Sequence, residues 1–417
     1  MTIMKYFKKK YEMFMKDSLY RNSVYLMFGT GIMAAFGFIF WIIVSRLYTV
    51  EQVGLATTII SVMGLITSFS LLGLNAGLIR FLPSSDRKND KINTAFTLAA
   101  LVTIIVTTIF LLGLKGFSPK LLFIKQNIFY SLAFIVFMVF STLSSLIESV
   151  FLAYRSAGFI LLKNSIFSIL KLIFPAIFVF LGAYGIFGSW MLAVIISFLI
   201  TGIILTSKFD YNPKFVFYDS IIYRIGRYSF GNYIAGFIGG LGTMLLPLMI
   251  TNLHYPEMTA YYYISMSIIG ALFVIPQATS NSLFAEGSNN QRKIKEQVKK
   301  AIKIISFLMI PAIILITLLG KYVLTFFGQN YAIEGTEFLQ ILAISGIFVS
   351  INSVYSAIVR VKKMIRFMIL VSIISASIVL GLSYISITNG YGLQGVGFSF
   401  LIGQIVSSII YVYYVRK

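Results

Sequence analysis

Apolar stretches of about 20 residues recur from one end of this chain to the other, separated by short polar segments. That is the length a helix needs to cross the hydrocarbon layer of a bilayer. The pattern predicts twelve spans, at roughly 22–46, 52–79, 92–114, 127–153, 163–182, 186–206, 225–251, 258–284, 302–320, 336–358, 366–388 and 391–414. Lipid leaves the backbone only two ways to satisfy its hydrogen bonds, helices or a closed barrel. A barrel needs polar and apolar residues to alternate, and they do not. The expected fold is an all-α polytopic membrane protein.

Composition agrees. Only 11% of the 417 residues are charged and 58% are hydrophobic, with a mean hydropathy of +0.91; soluble domains carry about 25% charged residues. There is no cysteine and one histidine, His254. Thiolate chemistry is therefore excluded, and neither a metal site nor a cofactor is expected. The start, MTIMKYFKKKYEMFMKD, is charged throughout and lacks the continuous apolar core of a cleavable signal.

The net charge of +21 has an ordinary reading in a membrane protein and needs no nucleic acid. With the N-terminus inside, 28 of the 34 basic residues fall in inner segments and five in outer ones, with Lys171 inside a span. This predicts a cell-membrane protein with both termini cytoplasmic. Met4, Phe7, Tyr11 and Phe14 fall on one helical face. Residues 1–17 are either an amphipathic helix on the inner leaflet or a basic start that only fixes orientation.

Sliding the chain by 206 residues brings polar landmarks into register. Arg21 meets Arg227, Ser23 meets Ser229, Glu51 meets Glu257 and Asn75 meets Asn281; at 207, Tyr184–Gly188 meets Tyr391–Gly395. Six helices are an even number, so the two halves start on the same side and form a parallel repeat. The expected domains are a lobe at 1–206, a cytoplasmic linker at 207–224 with a turn at Asn212-Pro213, and a second lobe at 225–417. Such six-helix bundles enclose a cleft and work by alternating access.

The second and eighth spans are rich in Ser, Thr, Tyr, Asn and Gln, so they should face water in that cleft or serve as interhelical glue. Gly73-x-x-x-Gly77, Gly236-x-x-x-Gly240 and the cluster GFIGGLG suit close helix packing, with bending as the alternative. Arg46 ends the first span, and Arg80 ends the second. Arg21, Arg80 and Arg227 flank the inner mouth, where a guanidinium suits a phosphate. Glu286 occupies the place of Arg80 in the second repeat and is a candidate gate partner for it. Glu148 and Lys171 lie inside adjacent spans, each about 10–12 Å in from Arg155 and Lys163 respectively. They are expected to pair, as a structural ion pair or a proton or cation relay.

No phosphate-binding G-x-x-x-x-G-K-[ST] occurs, and one histidine cannot supply a catalytic nucleophile–base–orienter set; an enzyme is not expected. Two pieces carry a family resemblance. Residues 19–85 have an arginine closing span one, a Glu-x-x-Gly at Glu51–Gly54, and Gly-Leu-Asn-x-x-Leu-x-Arg at Gly73–Arg80. AYGIFGSW and NGYGLQGVGFS precede spans six and twelve. In these the chain resembles Wzx-type polysaccharide-biosynthesis flippases of the multidrug/oligosaccharidyl-lipid/polysaccharide (MOP) superfamily.

The resemblance implies a V-shaped, MATE-like pair of six-helix lobes. It also implies a lipid-linked oligosaccharide on polyprenyl phosphate or diphosphate as substrate, flipped to the outer leaflet, with polysaccharide polymerase machinery as a partner. The family's arginine and its Asn–Arg pair carry over to Arg46, Asn75 and Arg80, and the repeat adds Arg21, Arg227 and Asn281 as substrate contacts. Glu148, Lys171 and Glu286 are left for gating or coupling. The chain departs from the family in having no run of basic residues within the spans. The alternative function is a cation-coupled multidrug antiporter, which needs a free acid in the membrane.

Overall fold

The computed structural model describes residues 18–289 and 294–416. The N-terminal face of Met4, Phe7, Tyr11 and Phe14 lies outside the described residues. Thirteen labelled helices follow in order: α1 (Ser18–Leu47), α2 (Val50–Ser70), α3 (Leu74–Phe81), α4 (Lys88–Leu112), α5 (Ile128–Ala153), α6 (Ala157–Ile177), α7 (Gly182–Lys208), α8 (Asp219–Leu253), α9 (Pro256–Asn289), α10 (Ile294–Thr325), α11 (Gln329–Val361), α12 (Ile365–Thr388) and α13 (Gly392–Arg416). Among the described residues twelve helical segments are long and apolar enough to cross a membrane. This is the all-α, multi-pass membrane fold that the apolar periodicity predicts.

The second span is not the single helix 52–79 that the apolar run suggests. It stops at Ser70 and restarts at Leu74, because Leu72 (φ 47°) and Gly73 (φ 77°) take the left-handed conformation. Glycine enters that region without steric cost, whereas leucine does so under strain. The short α3 is then pinned by its apolar side: Leu74, Leu78 and the following Leu82 join Leu146, Ile147 and Val150 of α5 in one buried cluster.

The chain divides into two compact units. One holds Ile66–Tyr233 with the described residues up to Phe40; the other holds Trp41–Leu65 with the described residues from Ile234 on. The end of α1 and most of α2 therefore group with the second half of the sequence. In the first unit α5 packs against α3, α4, α6 and α7; in the second, α11 packs against α9, α10, α12 and α13. These are the fourth spans of the two halves, and their ends are built alike. After α5, Arg155 is left-handed (φ 53°), its N–H donates to Leu152 and that of Ser156 to Phe151. After α11, Lys363 is left-handed (φ 58°), its N–H donates to Arg360 and that of Met364 to Val359. Both turns close the last carbonyls of a helix with the same two bonds.

The segment after α7 is held to the start of α4. The Tyr211 hydroxyl donates to Asn93 Oδ1 at 2.6 Å, and Asn93 Nδ2 donates to the Asn212 carbonyl at 2.9 Å. Burial pushes the Tyr211 phenol up to about 12, so it stays a donor at physiological pH. The glycine cluster of α8 does not pack closely, contrary to expectation. A methyl group at Gly236 or Gly239 would meet nothing within 4 Å, at Gly240 only Met244 of the same helix, and at Gly242 the Ala376 Cα at an ordinary 4.0 Å. Close approach to a backbone is found instead at Gly54, where a Cβ would lie 1.7 Å from the Pro256 carbonyl oxygen, and at Gly185, where it would lie 2.1 Å from that of Phe178.

Candidate functional site

Within the second unit, the starts of α2 and α9 meet. Glu51 and Glu257 sit in the first turns of these helices, where a carboxylate complements the helix dipole. The missing side chain of Gly54 lets the two backbones touch. Below it, Thr58 bonds to the Gly54 carbonyl at 2.8 Å and to Thr251, which bonds to Thr259 at 2.7 Å. Trp41 packs on Tyr263 with ring centroids 5.0 Å apart. Arg46 donates from Nε to the Phe326 carbonyl at 3.1 Å and from Nη2 to that of Thr325 at 2.8 Å. Its charge thus meets the negative end of α10. The two helix starts are thus joined by backbone contact and a chain of threonine hydrogen bonds. Much of the polar content of α2 is used there: Thr57, Thr58 and Ser61 are buried, and α2 is the most enclosed of the spans, 61% buried.

Asn75 and Arg80 lie on α3 in the first unit. Because the leucines hold α3 against α5, Arg80 is left exposed and Asn75 half-buried. Arg21 is partly exposed near the start of α1, next to Asn22, whose Oδ1 accepts from the Ala157 N–H at 2.9 Å. Arg227 lies in α8, and its side chain is outside the described residues. In the second unit, Glu286 is exposed on α9 and acts electrostatically on Lys300 of α10.

The expected Glu148–Lys171 pair does not form. Glu148 pairs with Lys163 at 2.7 Å, and Lys163 also donates to the Ser144 carbonyl and hydroxyl at 3.1 and 2.8 Å. The reason is the helix start. α6 begins at Ala157, so Lys163 is already a turn and a half inside and level with Glu148. Lys171 is two turns deeper and 2% exposed. Its ammonium lies 4.8 Å from the Phe167 ring, 5.1 Å from Trp190 and 5.7 Å from Phe40, an aromatic cage that stabilises a cation through ring quadrupoles.

Two features went unread in the sequence. The first is Arg360, counted there with the loop lysines because the span was ended at 358; α11 runs on to Val361. Its guanidinium donates from Nη2 to Ser280 Oγ at 2.9 Å and from Nη1 to Asn281 Oδ1 at 3.3 Å, and it stacks 5.1 Å from the Phe284 ring centre. Ser280 in turn donates to the Ser353 carbonyl at 2.6 Å. Asn281 therefore orients an arginine rather than standing alone.

The second is a cavity of about 180 Å³ inside the second unit, lined by Thr243, Asn352, Ser375, Gln404, Ser407 and Tyr411 among others. Asn352 donates to the Gln404 side chain at 2.8 Å and accepts from Ser408 at 2.9 Å. Gly239 and Gly242 of α8 line it too, so those glycines open space rather than close it. Two amides within spans were the available signal, since such groups face protein or water. The cavity offers hydroxyls and amides and no charge. Among the described residues no cluster of metal-ligating side chains occurs.

A family model described as polysaccharide biosynthesis protein matches residues 43–334. The chain belongs to this family. Its fold is that of MOP superfamily transporters. It is similar to an inward-facing multidrug-resistance MATE family transporter of that superfamily, at 16% identity over 95% of this chain and 97% of the other, with a TM-score of 0.72. The lipid II flippase MurJ in an inward closed conformation gives 14% identity, 94% and 88% coverage and a TM-score of 0.76. A MOP superfamily transporter from Pyrococcus furiosus gives 17%, 96% and 94%, and 0.63. No curated protein matches the chain.

Proposed function

We propose that this protein is a flippase. It moves an oligosaccharide linked to polyprenyl phosphate or diphosphate from the cytoplasmic to the outer leaflet of the cell membrane by alternating access, with both termini in the cytoplasm. The family match over residues 43–334 carries the reading, and the MOP fold, shared with a lipid II flippase, agrees with it. Arg80 and Asn75, on the sides of α3 not pinned by its leucines, meet the phosphate, while Arg21 and Arg227 add positive potential. The product is a substrate for a polysaccharide polymerase on the far side. The drug-antiporter alternative needs a free acid in the membrane, and Glu148 is engaged by Lys163.

The test is mass spectrometry of lipids from a strain lacking the protein. A polyprenyl-linked oligosaccharide should accumulate, wild-type protein should clear it, and Arg80→Ala should fail to while remaining in the membrane. An unchanged lipid pool would overturn the reading.

A further inference from the structure

Arg360 is a cation at the end of a membrane span whose described partners are all neutral. The three ion pairs among the described residues are Arg87–Asp90, Lys163–Glu148 and Lys300–Glu296; Arg360 is in none of them. Its Nε is closed off from solvent and has no hydrogen-bond partner, although Nη1 and Nη2 are both held. An unmatched buried N–H is costly, and a cation withdrawn from water without a counter-charge more so. The partners are also those of a preset receptor. Ser280, itself fixed by the Ser353 carbonyl, and Asn281 hold one edge of the fork, and the Phe284 ring lies 5.1 Å from its centre. The plane is fixed before any ligand arrives, which lowers the entropy lost on binding. Lys362, Lys363 and Arg366, all exposed just beyond, give this end of α11 a positive field.

We infer that Arg360 receives a phosphate group of a lipid on the open edge of its preoriented guanidinium, through the N–H groups of Nη1 and Nη2 that Asn281 and Ser280 leave unused. A phosphate oxygen accepts a charge-assisted bond there. The guanidinium supplies the positive charge that cancels one phosphate charge at the membrane boundary. Two sources carry that chemistry, a polyprenyl diphosphate and the headgroup of an ordinary anionic phospholipid. The assignment to the first rests on the flippase reading; the site itself does not.

The experiment uses the full-length protein in nanodiscs of zwitterionic lipid. Binding of a polyprenyl diphosphate is measured in one arm, and of phosphatidylglycerol in the other, for wild type, Arg360→Gln and Arg360→Lys. Glutamine keeps a neutral hydrogen-bonding group near Ser280 and Asn281 and guards against unfolding, which a melting curve checks. The expected result is a loss of roughly 10- to 100-fold in polyprenyl diphosphate affinity for Arg360→Gln, from one charge-assisted bond. Arg360→Lys should recover only part of it, because an ammonium lacks the planar fork. Equal loss in the phosphatidylglycerol arm would assign the site to bulk lipid headgroups. Unchanged affinity in both arms, with a folded variant, would overturn the proposal. If binding depends on Arg360 while cells lacking the protein accumulate no lipid-linked sugar, the flippase reading fails and the site stands.

Discussion

The segment 50–81 and the helix α9 hold the same place in the two halves of the sequence, yet they solve the problem of polar residues in a membrane differently. The first breaks at Leu72–Gly73 and turns Asn75 and Arg80 onto a separate short helix. α9 runs unbroken past Pro276, with Thr279 where the first has Gly73, and gives its Asn281 to Arg360. The fourth spans differ in the same sense. Near the end of α5 the cation Lys163 has an acid, Glu148; near the end of α11 Arg360 has only neutral partners. A duplicated frame thus carries one fourth span whose neighbouring cation is paired with an acid and one whose cation has only neutral partners.

The largest effect expected from probing this asymmetry is at Gly54. Its counterpart in α9 is Ala260, fully buried and accommodated. Gly54→Ala drives a methyl into the Pro256 backbone, which cannot move aside as a side chain can, and should cost about 3 kcal/mol or more. Ala260→Gly should cost only about 1 kcal/mol. Thermal unfolding of the purified protein in detergent reads the difference. Equal melting temperatures would mean that the contact between α2 and α9 does not hold these helix starts together.

Next comes the ion pair. Glu148→Gln leaves Lys163 buried with Ser144 alone. Breaking a fully buried pair costs about 3–5 kcal/mol; the Glu148 side chain is 37% exposed, so about 1–3 kcal/mol is expected after screening. Adding Lys163→Met should restore part of it. A double-mutant cycle of Glu148 with Lys171 should give coupling near zero. Strong coupling there would return Lys171 to the pairing that the sequence first suggested.

That pairing shows what the sequence could and could not carry. The twelve spans are legible because each is an apolar run of membrane length. The ends of helices are not, since a basic residue near the boundary can lie inside the helix or beyond it. Reading Lys163 as a boundary marker shifted the level of its helix by a turn and a half and assigned Glu148 the wrong lysine. Ending α11 three residues early hid Arg360 among loop lysines. Arg46 was visible as an arginine closing a span, but its acceptors are 279 and 280 residues away, beyond any local pattern. The glycines of α8 read as packing motifs because small residues are equally suited to closing a gap and to leaving one.

Smaller still is the effect of the backbone break. Alanine at Gly73 must enter the left-handed region and should cost about 1 kcal/mol. Alanine at its counterpart Thr279 sits in regular helix and should change stability by less than about 0.5 kcal/mol. If Gly73→Ala proves neutral in the melting assay, the break is not fixed by backbone conformation, and Asn75 and Arg80 are not held on a separate helix by it.

The last comparison is between the two asparagines. Asn281→Ala removes one acceptor from Arg360, through a contact of 3.3 Å that Ser280 backs up, so stability should fall by only about 0.5–1 kcal/mol. Its effect on phosphate affinity should be a fraction of that of Arg360→Gln, because it loosens the fork without removing the charge. Asn75→Ala, on α3 and itself placed at the substrate phosphate, should weaken polyprenyl diphosphate binding by the same factor in wild type and in Arg360→Gln. A lipid-binding assay on the two variants side by side separates these roles. If the loss from Asn75→Ala disappears in the Arg360→Gln background, the two halves share one phosphate contact surface, and the division of labour between them is wrong.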